Sequence, residues 1–236
     1  MLRKKQDKVK ILLLGILGLI IPQFISAQED FQKELCWGLN GGVSISSVNF
    51  NPNPTGRQNS LIQGVGGLTV RYISEKYFGL QCELNYSQRG WEETFPNFSE
   101  LYYRRSLDYI EFPILTHLTF SVSKRLSAIF NLGPQLGYLL SEKIDSNMDA
   151  ANFEYIPSYY AQKGQNRFDW GLCFGGGLEF RTNSGSFILD GRYYFGLSDV
   201  FTNSKINPTY YFAASSNQII SVKFTYLFKL NNKFGK

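Results

Sequence analysis

His117 is the single histidine of the chain, with Thr119 two residues on and Glu111 six residues back. In an extended segment, residues of one parity share a face. A histidine, a hydroxyl and a carboxylate would then look the same way. A hydrolase that activates a threonine through a histidine and an acid needs those three groups. The plainer reading encloses His117 in the protein, hydrogen-bonded to a carboxylate. Other charges fall in the same phase of their own segments: Arg71, Glu83, Asp169, Glu179, Arg181, Asp190, Arg192, Lys223 and Lys229. Acids and bases nearly balance in this set, which suits a buried network of ion pairs and hydrogen bonds. Cys36, Cys82 and Cys173 are far apart and fit no metal-ligand spacing. They read as packing residues, and a Cys36–Cys173 disulfide stays open. The glycine runs GVGG and FGGG lie inside strand patterns, so no phosphate loop, cofactor or metal is expected.

The elements that carry these residues alternate with period two. In FDWGLCFGGGLEFR (168–181), Phe168, Trp170, Leu172, Phe174, Leu178 and Phe180 oppose Asp169, Cys173, Glu179 and Arg181. The same pattern predicts strands near 35–46, 61–73, 78–88, 107–120, 126–140, 168–181, 186–197 and 220–230. Short polar links fall near 74–77, 121–125 and 182–185, and long ones near 47–60, 90–105, 141–167 and 199–216. Strict alternation of short and long links is the signature of an up-and-down meander with two unlike rims.

Which face points inward is a question of space. An eight-stranded barrel has a lumen just wide enough for side chains to fill. The bulky set of Phe, Tyr, Trp, Leu and Ile overfills such a lumen, whereas the Gly, Ser, Thr and Asn set fits it. The aromatics are therefore expected to face outward. An apolar belt of that size aggregates in water and is at home in lipid, where a sheet must close because open edges cannot face hydrocarbon. The expected fold is an all-β, eight-stranded antiparallel transmembrane barrel with short periplasmic turns and long extracellular loops. A soluble lipocalin-like barrel is the rival; it needs the opposite assignment of faces.

The formal charge of +5 does not signal nucleic acid. Arg3, Lys4, Lys5, Lys8 and Lys10, with Asp7, lie in the first ten residues; the rest holds 19 basic against 18 acidic side chains. That basic start, the apolar run 11–21 and the small residues Ser26 and Ala27 read as a signal peptide cleaved after residue 27, leaving 28–236 as the barrel. An uncleaved membrane anchor is the other reading.

Six segments carry a family likeness: GLNGGVSIS (38–46), GLQCELNYSQRG (79–90), LDYIEFPIL (107–115), NLGPQLGYLL (131–140), FDWGLCFGGGLEF (168–180) and LDGRYYFGLSDV (189–200). Together they resemble the PorT-like outer-membrane β-barrel proteins of the Bacteroidetes. Two details depart from that family: His117 stands where a lysine is usual, and NNKFGK follows the last apolar strand. The resemblance implies an outer-membrane barrel without assigned chemistry, some members taking part in protein secretion. Outer-membrane lipid is one expected partner. The Tyr-rich links 90–105, 141–167 and 199–216 suit a protein partner or an interfacial aromatic belt equally. Neutralising Glu111 together with Glu179 is expected to destabilise the barrel.

Overall fold

The computed structural model describes residues 33–54, 56–95, 101–147, 166–201 and 214–230. The expected signal peptide lies outside the described residues. Eight strands follow one another: β1 (Glu34–Asn51), β2 (Arg57–Ile73), β3 (Phe78–Thr94), β4 (Tyr102–Ser121), β5 (Leu126–Ser146), β6 (Phe168–Arg181), β7 (Gly185–Asp199) and β8 (Ala214–Lys229). Each pairs antiparallel with the next, and β1 pairs with β8 to close the barrel. Three tight turns join β2–β3, β4–β5 and β6–β7. The last is held by Thr182, whose amide and hydroxyl both donate to the carbonyl of Gly185 at 2.8 Å. The strand ends that the other links connect stand on the opposite rim.

The apolar set faces outward. Trp37, Leu39, Leu84, Phe112, Phe130, Trp170, Phe174 and Phe224 are all exposed. The outward apolar run covers Leu35–Ile45 in β1, Phe78–Tyr86 in β3, Ile110–Phe120 in β4 and Ile220–Phe228 in β8. Such runs match the roughly 9–11 residues that a tilted strand needs to cross a bilayer. A lipocalin-like arrangement is thereby excluded, because water would bathe this whole belt.

The strands do not stop where the belt stops. Compared with the sequence reading, β3 runs on to Thr94, β4 begins at Tyr102, β5 reaches Ser146 and β8 begins at Ala214. More than half of the expected link 90–105, and residues 141–146 of the link 141–167, are therefore strand. Beyond the belt the faces exchange character. Outward positions become polar: Ser47 on β1, Gln88 and Glu92 on β3, Arg104 and Asp108 on β4. Gln88 donates to Asp108 at 3.1 Å and Ser141 donates to it at 2.6 Å, lacing three strands together at this level. Inward positions become apolar: Val48, Phe50, Trp91, Tyr103, Leu107, Tyr109, Leu139, Val200 and Phe201 form one buried cluster. This collar has the polarity of a water-soluble β-barrel. It stands on a membrane section of the reverse polarity, because the solvent outside the wall changes from lipid to water.

Candidate functional site

The lumen is the one place where the described residues gather chemistry. Its floor holds Arg71 on β2, which donates to Gln81 on β3 at 2.8 Å and to Glu179 on β6 at 3.0 Å. Arg181 also reaches Glu179, at 3.2 Å, from a half-exposed position at the periplasmic mouth. Midway up, Glu83 is the acceptor for Lys223 at 2.5 Å, and Arg192 lies 2.8 Å from its other oxygen. Arg192 also binds Asp190, two residues away on β7. Gln81 donates to Glu83 at 2.6 Å and so ties the floor to this middle group. Asn85 donates to the same carboxylate at 2.9 Å. Burying a carboxylate is tolerable only when its lone pairs are filled in this way.

Higher still, Arg89 donates twice to one oxygen of Glu111, at 3.0 and 2.8 Å, and to Asp169 at 2.6 Å. Tyr194 and Ser198 donate to Asp169 as well, at 2.8 and 2.6 Å. The Arg89 guanidinium lies over the rings of Tyr109 and Tyr194, 4.5 and 4.9 Å from their centroids. Above it comes the collar. There Arg105 lies 4.9 Å from the Phe201 centroid and donates to Glu142 at 2.9 Å. Burial pushes the Tyr103 phenol, in the same collar, up to about 12.

Arg71, Glu83, Glu111, His117, Asp169, Glu179, Asp190, Arg192 and Lys223 are all buried in the lumen. Two residues of the expected set sit elsewhere. Arg181 is only half-buried, and Lys229 is exposed at the periplasmic rim, 3.6 Å from Glu34. Both stand at the strand end, where water reaches them. His117 is enclosed, but its Nδ1 faces the amide oxygen of Asn131 at 2.8 Å rather than a carboxylate. Asn131 is its register partner on β5, so the nearest polar group wins. Glu111 stands six residues up the same strand, roughly 20 Å away at 3.3 Å per residue, and it is bound to Arg89. The three groups of a triad are therefore not assembled. Cys36 and Cys173 are both free thiols in separate clusters, Cys36 with Ile129, Ile188 and Leu227, Cys173 with Leu115, Tyr194 and Ile219.

Arg89 and Arg105 were missed at the sequence level. The signal was present: Arg89 continues the parity of Glu83, Asn85 and Ser87, and Arg105 that of Glu111. Ending the strands at the edge of the apolar belt cut them off. Among the described residues no cluster of His, Cys, Asp and Glu has the makings of a metal site.

Comparison with known proteins agrees with this architecture. Residues 26–202 match the outer membrane protein beta-barrel domain. No curated protein matches the sequence. Among solved structures, OprG from Pseudomonas aeruginosa is similar at 10% identity and TM-score 0.48, covering 84% of this chain and 95% of its own. Ail, the attachment invasion locus protein of Yersinia pestis, is similar at 16% identity and TM-score 0.40, with 83% and 99% covered. Neisserial surface protein A is similar at 8% identity and TM-score 0.41, with 82% and 97% covered. With three quarters of its length matched, this eight-stranded barrel of the outer membrane belongs to the outer membrane protein beta-barrel domain family.

Proposed function

We propose that the protein is a non-enzymatic barrel that anchors or assists a partner at the cell surface, in the manner of the PorT-like group, and that it is not a pore. The observation that carries this reading is the filled lumen. Charged residues from facing strands meet inside it at bonding distance, and an aromatic collar lies above them. An eight-stranded barrel has little bore to spare once such side chains occupy it. The lumen network, including Arg71, Glu83, Glu111, Asp169, Glu179, Asp190, Arg192 and Lys223, then serves stability. The hydrolase reading of His117 loses support because Glu111 is committed to Arg89.

The working surface is the extracellular rim with its long links. Crosslinking in native membranes, followed by identification of the neighbours, tests this. A defined neighbour captured by the whole chain and lost when 148–160 is trimmed, with membrane insertion intact, is the expected result. Identical neighbours after trimming would count against it. Reconstitution in a planar bilayer separates the pore alternative, since steady conductance steps would refute a filled lumen.

A further inference from the structure

The ion pairs in the lumen form two groups with a gap between them. The lower group runs from Arg71 through Gln81 to Glu83, Lys223, Arg192 and Asp190. The upper group is Arg89 with Glu111 and Asp169. Between them, on the barrel axis, lies a cavity of about 20 Å³ walled by residues of all eight strands. Small side chains leave it open: Ser44, Ser87 and Ser221 lie in its wall beside Glu111, Arg192 and Lys223.

Both groups present unused hydrogen-bonding capacity there. Arg89 places both of its bonds on one oxygen of Glu111, which leaves the second oxygen. Arg192 is buried, and its Nη1 has no aligned acceptor although it lies 2.8 Å from Glu83. A buried donor or acceptor without a partner costs about 1–3 kcal/mol. A polar cavity needs roughly 10–15 Å³ to hold one water, which then bonds to two to four groups. An apolar occupant would leave the second Glu111 oxygen and the Arg192 Nη1 without an aligned hydrogen-bond partner.

We propose that this cavity is a built hydration site, in which one water molecule bonds Glu111 and the Arg192 side and joins the two ionic groups into a single network. The water is then part of the barrel's structure, and the serines that frame it are there to make room for it.

The test uses the full mature chain refolded in lipid bilayers, with two readouts. The first is magnetisation transfer from water protons to the Ser87 and Ser221 sites by solid-state NMR; transfer is expected. The second is the melting midpoint of Ser87→Val and of Ser221→Val, each of which fills the cavity. If a water is bound there, both variants melt lower than the parent, because displacing it leaves the second Glu111 oxygen without a donor. If the cavity is dry, added methyl groups gain contacts and the midpoint stays or rises. Either no transfer or an unchanged or higher midpoint in both variants overturns the proposal. Ser44→Ala, which enlarges the space and keeps the water, serves as the control for folding.

Discussion

Arg89 on β3 crosses the lumen to Asp169 on β6, a strand that is not its neighbour, and closes to 2.6 Å. It spans the barrel while also holding Glu111 on the adjacent β4. One guanidinium thus bonds two buried carboxylates. Replacing Arg89 with Met leaves both without their counter-charge. Breaking a buried pair from one side costs about 3–5 kcal/mol, whereas removing all the charges together costs much less. The expected result is that Arg89→Met lowers unfolding stability in lipid vesicles by about that amount, and that adding Glu111→Gln and Asp169→Asn recovers a large part. A loss within about 0.5 kcal/mol for Arg89→Met, the range of ordinary surface changes, would show that the charges are not coupled as described.

Glu111 and Glu179 belong to different ion pairs, Glu111 to Arg89 and Glu179 to Arg71 and Arg181. The two acids share no direct partner and are several bonded links apart, and changes at such distant sites add within about 0.3–0.5 kcal/mol. Glu111→Gln with Glu179→Gln should therefore destabilise by the sum of the single losses. Arg71→Met with Glu179→Gln should fall well short of its sum, because each single change already breaks the same pair. A double-mutant cycle on each combination reads this out, and strong coupling between Glu111 and Glu179 would contradict the separation.

The three tryptophans report two environments of the wall. Trp37 and Trp170 are 44% and 47% exposed on the lipid-facing belt, while Trp91 is fully buried in the collar with its indole N–H donating to Glu93 at 3.0 Å. Single-tryptophan variants, with the other two changed to Phe, should separate accordingly. Brominated lipid should quench Trp37 and Trp170 strongly and Trp91 weakly; aqueous acrylamide should reach none of them well. Quenching of Trp91 by lipid on a par with Trp170 would place the collar inside the bilayer. Trp91→Ala should also cost about 3–5 kcal/mol, as for a large buried aromatic.

These contrasts mark where the sequence was readable. The phase of Trp170 and Asp169 followed from period two and the volume of the lumen, and those two constraints fix the fold and the inward set through the membrane. They fail at Phe50, Trp91 and Tyr103. There the same alternation continues, but its meaning reverses, because water replaces lipid outside the wall. A rule that equates aromatic with outward ends β3 and β4 at that level and loses Arg89 and Arg105 with it. The pairing of individual charges was not readable either. Which acid meets Arg71 depends on side-chain reach across a closed lumen, and parity assigns a face without a partner. His117 shows this most plainly: its position was legible, its bond to Asn131 was not.

Alkaline titration tests the collar without removing an atom from the membrane section. Burial holds the Tyr103 phenol at about 12, against about 10 for a free tyrosine. The nearby Arg105, whose Nη1 donates to its oxygen at 3.3 Å, favours the phenolate but does not reverse the shift. The folded state therefore binds the phenolic proton more tightly than the unfolded chain. That contribution is complete below about pH 10 and fades as pH rises toward about 12, where both states lose the proton. At about pH 11.5 the parent should have lost about 2 kcal/mol through this group, relative to about pH 9. Tyr103→Phe removes the group, so its stability should decline less over the same interval. Parallel declines for the parent and the variant would mean that the phenol is reached by water and that the collar is not closed around it.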